Sequence, residues 1–247
     1  MHCQILNNMK NIALIFAGGS GERMNSGATP KQFLKLDGKE IIIHTIEKFE
    51  NHNEVDAIVV VCIEAWIEYL EKALEKHKIE KVVKIVPGGD SGQGSIYNGL
   101  AAINQYNKNA YVLVHDGVRP LITPELISDN IHVVREKGSA ISSSPAIETI
   151  VYADENNNID SITDRSKCLY AKAPQTFKFD ELWAAHTKAR EEGLDNFIDS
   201  ASIMKHYGHK LSIVMCSPEN IKITTPGDYY IFKALYEARE NSQIFGI

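Results

Sequence analysis

Ile12-Ala13-Leu14-Ile15-Phe16-Ala17-Gly18-Gly19-Ser20-Gly21-Glu22-Arg23, followed at a short distance by Pro30-Lys31-Gln32, decides the fold of this chain. Ile12 to Phe16 is an unbroken apolar run, the pattern of a strand buried on both faces. A glycine-rich turn directly after such a strand lets the backbone approach a ligand closely. It also leaves N–H groups free to hold phosphate oxygens. With Arg23 and Lys31 next in line, the order strand, glycine turn, cations reads as a nucleotide-triphosphate site. The plainer alternative is a strand-ending turn flanked by ordinary surface cations. Neither common glycine loop fits. A dinucleotide fingerprint starting at Gly19-x-Gly21 needs its third glycine where Met24 stands, and a Walker loop needs a Lys directly after Gly21.

Outward from this point the pattern alternates between strand and helix. Val55–Val61 is a β-branched run and reads as a second strand. Trp66, Ile67, Leu70, Ala73 and Leu74 recur at helical spacing, which predicts an amphipathic helix over Glu64–Lys78. Val82–Val86 predicts a strand ending at Pro87-Gly88-Gly89-Asp90, and Ser95–Asn104 a helix. Tyr111–His115 predicts another strand, closed by Asp116-Gly117-Val118-Arg119-Pro120. Thr123-Pro124-Glu125 opens a helix with Thr as N-cap and Pro at the first position. Repeated βα units of this kind imply an α/β fold with a doubly wound, mostly parallel sheet. Ligands in such sheets bind beyond the carboxyl ends of the strands. The glycine loop, the Gly88-Gly89-Asp90 turn and Asp116 all follow strands, so they are expected on one rim.

Further on, Ala140–Ala153 carries a strand-like stretch, Asp154-Glu155-Asn156-Asn157-Asn158 a polar turn, and Ile159–Ile162 and Cys168–Ala171 short strands. Two strands about an asparagine-rich turn predict a protruding β-hairpin arm at about 146–170. Helices are expected over Phe179–Glu192 and Asn196–Tyr207 and strands over Lys210–Met215 and Asn220–Thr224. A last helix is expected from about Pro226 to the Glu240 region. The whole of residues 1–247 reads as one domain that includes the arm.

Composition narrows the function. A net charge of −6 leaves no large basic field for a nucleic-acid backbone, while a few local cations still suffice for a small anionic substrate. No apolar run approaches the ~20 residues of a membrane span. Met1–Asn8 reads as an extension with Met9 as an alternative start, and it has no signal-peptide pattern. Cys3, Cys62, Cys168 and Cys216 lack C-x-x-C spacing, so they read as reduced thiols of a cytoplasmic protein.

Several residues carry candidate chemistry. Asp116, at the end of a buried strand, is placed to hold Mg²⁺ against phosphate oxygens, since Mg²⁺ takes one or two carboxylates plus phosphates. Turn capping is its structural alternative. Arg119 can hold a second substrate's phosphate or bridge to Asp116. His115 reads as a packed rim residue. Lys222 lies between Ile221 and Ile223 in a segment otherwise headed for the core, which suggests a cleft-facing charge. Its alternative is the solvent face of an edge strand. Asp90 and Ser95 flank the second glycine turn and can bond a base or ribose, or serve as turn and cap residues.

The glycine loop with its own cations resembles the nucleotidyltransferases that activate sugar and polyol phosphates. Ala17–Met24, Pro30-Lys31-Gln32-Phe33-Leu34, His44-Thr45, Gly88-Gly89-Asp90, Val114-His115-Asp116-x-x-Arg119-Pro120, Pro174-Gln175 and Asn220-Ile221-Lys222-Ile223-Thr224 together resemble one family in order and along nearly the whole chain. It is the 2-C-methyl-D-erythritol 4-phosphate cytidylyltransferase family, which includes the ribitol-5-phosphate cytidylyltransferases. The resemblance implies a Rossmann-like nucleotidyltransferase that transfers CMP from CTP to a polyol phosphate and releases pyrophosphate with Mg²⁺. It also implies a homodimer whose hairpin arm reaches the partner's site. By position, Arg23, Lys31 and Lys222 would bind the triphosphate and stabilise charge on the α-phosphate. Ala17, Gly18, Gly19, Gly21, Gly89, Asp90 and Ser95 would hold the nucleotide. Asp116 would hold Mg²⁺ and acceptor, and Arg119, Thr149 and Arg165 the polyol phosphate. Thr149 and Arg165 flank the expected arm and so would serve the neighbouring subunit.

The chain departs from the family at Ala173-Pro174-Gln175 (usually Thr-Pro-Gln), at Ser91-Gly92-Gln93-Gly94 (often carrying an Arg) and at Ile198-Asp199 (usually Thr-Asp). These changes leave the CTP half intact and bear on the acceptor. Phe33, the run His44–Phe49 and Glu148-Thr149-Ile150-Val151 lean toward ribitol 5-phosphate or a related alditol phosphate; methylerythritol phosphate is the alternative. A nicotinamide-dependent reductase is disfavoured by Met24 and by Cys62 near the end of the second strand. A non-catalytic nucleotide-binding module is disfavoured by the joint presence of Arg23, Lys31, Asp116 and Lys222.

Overall fold

The computed structural model describes residues 9–19 and 29–245, with side chains as far as residue 241. The glycine-loop residues Gly21 and Arg23, and Cys3 with the Met1–Asn8 extension, lie outside the described residues. In chain order the elements are β1 (Lys10–Ala17), β2 (Lys35–Leu36), β3 (Lys39–Glu40), α1 (Ile41–Glu50), β4 (Ala57–Cys62), α2 (Ile67–Lys76), β5 (Val82–Pro87), α3 (Gly92–Tyr106), β6 (Ala110–Asp116) and α4 (Pro124–Lys137). They continue with β7 (Ser139–Pro145), β8 (Val151–Ala153), β9 (Ile159–Ile162), β10 (Leu169–Lys178), α5 (Phe179–Glu191), α6 (Ser200–His206), β11 (Ile213–Met215) and α7 (Pro226–Phe245).

The central sheet has seven strands in the order β11-β7-β10-β6-β1-β4-β5. β1 runs parallel to β4 and β6, β4 to β5, and β11 to β7; β10 is antiparallel to both neighbours. The sheet is therefore mostly parallel, as the alternating pattern predicts. Period-2 alternation in β1 sorts its side chains onto two cores. Ala13 and Ile15 pack with buried residues of α1, α2 and α4. Ile12 and Leu14 pack on the other face with those of α3, α5 and α6. Helices on both faces explain why the parallel strands are continuously apolar rather than alternating. α4 starts where its capping signal lies: Thr123 Oγ1 accepts from Leu126 N at 3.3 Å, with Pro124 in the first turn. No helix among the described residues is long and apolar enough to cross a membrane.

The structure corrects several boundaries. The α3 helix begins at Gly92 rather than Ser95, because Ser91 Oγ accepts from Gly94 N at 3.0 Å and caps the helix. The helix expected over Asn196–Tyr207 is confined to Ser200–His206. Gln93 binds Leu194 O (2.7 Å) and Phe197 N (3.2 Å) and pins that segment as a loop. Asp199 then caps the helix through Ser202 N at 2.8 Å. The strand expected over Lys210–Met215 joins the ladder only at Ile213–Met215, since the Ser139 hydroxyl takes both Lys210 O and Ser212 N. The Ala140–Ala153 stretch breaks after Pro145 and resumes in β8. Cys168–Ala171 instead leads into the long strand β10. Asn220–Thr224 is no strand: its N–H groups go to scattered acceptors, Ile223 to Val118 O (2.9 Å) and Thr224 to the Asp228 carboxylate (2.8 Å). The run His44–Phe49 lies in α1, an element the sequence pattern did not single out.

β8 and β9 pair antiparallel about Asp154-Glu155-Asn156-Asn157-Asn158 as a separate two-stranded sheet, the expected hairpin. Asp154 ties the turn by accepting from Asn156 N (2.9 Å) and Asn158 N (2.8 Å).

Candidate active site

The ends of β1, β5 and β6 meet at one rim of the sheet, as the strand order requires. Gly88 N donates to Cys62 O (2.8 Å) and Gly117 N to Phe16 O (3.0 Å), which ties the three following turns together. Two glycines there are dictated by close approach. A Cβ on Gly18 would lie 2.9 Å from Ser95 Oγ and 3.2 Å from Gly88 Cα, and one on Gly89 only 2.7 Å from the Gly94 carbonyl carbon. The first glycine turn thus packs against the second, and only backbone separates them.

A cavity of about 500 Å³ opens between these turns. Its walls bring together Ala17, Gly18, Gly19, Lys31, Gly89, Asp90, Ser95, Asp116 and Lys222. These are the residues the sequence assigned to nucleotide and phosphate, apart from those outside the described range. Ser95 is buried and its Oγ accepts from Gly89 N at 3.1 Å, so it shapes the second turn. Gln32, to which the sequence reading gave no role, is 1% exposed and donates to Ala17 O (2.7 Å) and Gly19 O (3.2 Å). It holds the start of the glycine loop in place. Its signal was its position directly after Lys31, within the quoted Pro30-Lys31-Gln32.

Asp116 sits where this cavity meets a second one of about 280 Å³. Its Oδ2 accepts from Arg119 Nε at 2.6 Å and its Oδ1 pairs with Lys222 Nζ at 2.5 Å. Burial by itself would raise the Asp116 carboxyl. The opposing charges and hydrogen bonds of Arg119 and Lys222 outweigh it and hold the group well below the usual carboxylate range. Arg119 also donates to Asn220 O at 2.9 Å. Of the two readings offered for Arg119, the bridge to Asp116 is present, and the residue also lines the second cavity. Lys222 reaches the cleft from an irregular segment rather than an edge strand. His115 is fully buried behind the rim against Phe49, with ring centroids 5.0 Å apart. Burial pushes its imidazole down to about 4, so it stays uncharged and packed behind the rim.

The second cavity is walled by Arg119, Ala171, Lys172, Gln175, Ile198 and Asp199 and shares Phe16, Gly92, Asp116 and Lys222 with the first. A register shift in β10 between Ala171 and Gln175 turns that stretch of strand toward the cavity. Gln175 donates to Asp199 Oδ2 (2.7 Å) and accepts from Ala201 N (2.9 Å), fixing the start of α6 against the strand. Thr149 and Arg165 stand apart. Both are exposed, neither lines either cavity, and Arg165 Nη1 donates to Ile147 O at 2.8 Å within the arm segment.

The Asp116 carboxylate is the hard-oxygen type of ligand Mg²⁺ takes, but among the described residues no group of three or more His, Cys, Asp or Glu converges. The site fits an ion that completes its shell with phosphate oxygens and water. Chemically, two adjoining cavities with Lys222 at their common wall and further cations on either side suit transfer of a phosphoryl-type group from one ligand to another.

Fold and site together define a nucleotidyltransferase-type α/β enzyme. Residues 11–237 match the 2-C-methyl-D-erythritol 4-phosphate cytidylyltransferase family model. The chain belongs to that family, CTP-dependent enzymes acting on a polyol phosphate. It is 49% identical over 237 residues to a ribitol-5-phosphate cytidylyltransferase of Vibrio parahaemolyticus, covering 96% of this chain and 100% of the relative. It is 34% identical to a 2-C-methyl-D-erythritol 4-phosphate cytidylyltransferase of Clostridium botulinum, covering 92% and 98% respectively. The fold matches the crystal structure of 4-diphosphocytidyl-2C-methyl-D-erythritol synthase from Anaerococcus prevotii with a TM-score of 0.80 at 24% identity, over 93% of this chain and 96% of that one.

Proposed function

We propose that this enzyme transfers CMP from CTP to ribitol 5-phosphate or a closely related alditol phosphate. The observation that carries the reading is the common wall of the two cavities, where Asp116 and Lys222 face both. CTP occupies the larger cavity. The second glycine turn with Asp90 and Ser95 receives cytosine and ribose, while the first turn together with Lys31, Lys222 and Arg23 receives the phosphates. The acceptor occupies the smaller cavity beside Arg119. An oxygen of its phosphate, already anionic, attacks the α-phosphorus. The new P–O bond forms as the bond to the bridging oxygen breaks, and pyrophosphate leaves with that electron pair.

No side chain has to act as a strong base, so catalysis rests on positioning and on cations that meet the developing charge. Mg²⁺ would be held by Asp116 together with phosphate oxygens, and when bound it would neutralise charge on the triphosphate. For Oδ1 to take the ion, Lys222 must exchange the carboxylate for a phosphate oxygen. The arm residues Thr149 and Arg165 are assigned to the site of a partner subunit in a homodimer. Their exposure, and their absence from the lining of both cavities, support that role. Residues 1–247 form one catalytic domain in this reading, with the arm at about 146–170. A cytoplasmic location accords with the scattered thiols.

The ribitol branch is supported by the higher identity to ribitol-5-phosphate cytidylyltransferases than to the methylerythritol enzymes. The test is pyrophosphate release from CTP and Mg²⁺ with ribitol 5-phosphate and 2-C-methyl-D-erythritol 4-phosphate in parallel. Turnover with ribitol 5-phosphate alone is expected. Turnover with methylerythritol phosphate alone would reassign the branch.

A further inference from the structure

We propose that Lys172 supplies the charge in the smaller cavity that receives the acceptor's phosphate monoester. The inference rests on the transfer proposed above. Three cations line this cavity, and two are already committed: Arg119 and Lys222 both pair with Asp116. The only other carboxylate on its wall, Asp199, is occupied by Gln175 Nε2 (2.7 Å), Ser202 N (2.8 Å) and Ser202 Oγ (2.6 Å). Lys172 differs from its neighbours. Among the described residues no carboxylate lies within ion-pair distance of it, and its ammonium is held by Pro218 O (2.8 Å) and Asn220 O (3.3 Å) alone.

Arg119 donates to the same Asn220 oxygen, so two cations converge on one neutral carbonyl. Partial burial is the main influence disfavouring the charged form of Lys172; the neighbouring Cys216 thiol opposes it and the Arg119 charge adds to it. A half-buried, uncompensated positive charge beside a cavity is costly unless an anion joins it. The cavity wall carries three cations, Arg119, Lys172 and Lys222, against the carboxylates of Asp116 and Asp199, a net positive charge that a phosphate placed there offsets while keeping Lys172 protonated. The residue lies on β10 within the register shift between Ala171 and Gln175, and it lines the cavity while its ammonium reaches the Pro218 and Asn220 carbonyls. Lys222 then serves the nucleotide side of the shared wall and Lys172 the acceptor side.

Lys172→Gln retains N–H donors for the two carbonyls and removes the charge; Lys172→Arg retains the charge. The expected result is a KM for ribitol 5-phosphate raised about 10- to 100-fold in K172Q, the loss of one charged hydrogen bond. The KM for CTP and the melting temperature are expected to stay at wild-type values, and K172R to come within about fivefold of the wild-type acceptor KM. A wild-type acceptor KM in K172Q, or equal losses in K172Q and K172R, overturns the proposal. A second measurement is independent of which acceptor is used. In ¹³C-lysine-labelled wild-type protein, the Lys172 Cε signal, identified by its loss in K172R, should shift on titration with inorganic phosphate. A signal that stays still while other lysines respond overturns the proposal. A wild-type enzyme that turns over neither acceptor, but whose Lys172 signal responds to phosphate, refutes the choice of acceptor and leaves the lysine assignment standing.

Discussion

Asp116→Asn removes one negative charge from between two cations while keeping the side chain's volume. In the wild-type site Arg119 and Lys222 each bond one oxygen of a carboxylate whose side chain is 7% exposed. Breaking a buried pair from one side costs about 3–5 kcal/mol, because the remaining charge is left uncompensated. Lys222 is 39% exposed, so water screens much of its share. Arg119, at 11%, carries most of the penalty but keeps its bond to Asn220 O. The expected loss is therefore nearer the low end, about 2–3 kcal/mol, or roughly 5–10 °C in melting temperature for a chain of this length. Adding Lys222→Met removes one of the two stranded cations. The double variant should regain about 1 kcal/mol relative to the sum of the single changes, measurable as a coupling in a double-mutant cycle of urea melts. Turnover of D116N should fall by roughly 100-fold or more, by analogy with the loss of a preorganised electrostatic contact. The pH dependence has a definite sign. A carboxyl held below its usual range stabilises the fold fully above an unfolded value of about 4, and that contribution is lost as pH falls through its lower folded value. Asp116 thus adds no slope between about pH 5 and about pH 8. A D116N protein that melts within ~2 °C of wild type, or strict additivity in the cycle, would refute the reasoning.

Further outcomes follow from neighbouring groups. Gly89→Ala should weaken CTP binding and lower the melting temperature together, since its Cβ would meet the Gly94 backbone at 2.7 Å; isothermal titration with CTP and thermal melts check both. Gln32→Leu leaves the Ala17 and Gly19 carbonyls without their donor, and its KM for CTP should rise about tenfold with the acceptor KM unchanged in steady-state kinetics. His115 and His186 are both pushed down to about 4 by burial. Their neutral forms stabilise the fold above the unfolded value near 6.5. Each should cost about 2 kcal/mol of stability as pH falls from there to about 5. The stability read from urea melts should fall accordingly across that range, and His186→Leu should remove part of this pH dependence. Mixed dimers of Arg165→Ala and Lys222→Ala subunits should recover activity that neither parent has, and verified mixed dimers without rescue would remove the arm from the partner's site.

Much of this arrangement was legible along the chain because its signals are local. The apolar run of β1, the β-branched β4 and the Thr123-Pro124 cap each reflect forces acting within a few residues. The glycines at positions 18 and 89 mark close backbone approach, and strand order alone puts Ala17, Gly89 and Asp116 on one rim. Where competing hydrogen bonds come from distant segments, the local pattern misleads. Asn220–Thr224 alternates like a strand, yet Val118 and Asp228 take its donors. Asn196–Phe197 reads as helix, but the side chain of Gln93 holds Phe197 in a loop.

The alternation of strands and helices, the glycine turns at the strand ends and the cations beside them are written into the order of residues, because backbone sterics and hydrophobic periodicity act over short separations. Which charges face one another is set by the packing of distant segments. Asp116 meets Lys222 across the fold, Gln32 turns back onto the glycine loop, and Thr149 and Arg165 stay outside both cavities of their own chain. Lys172 lies at a cavity wall within a register shift in β10 that no periodicity announces. Electrostatic complementarity depends on distance and burial in space, and a linear order of residues carries neither.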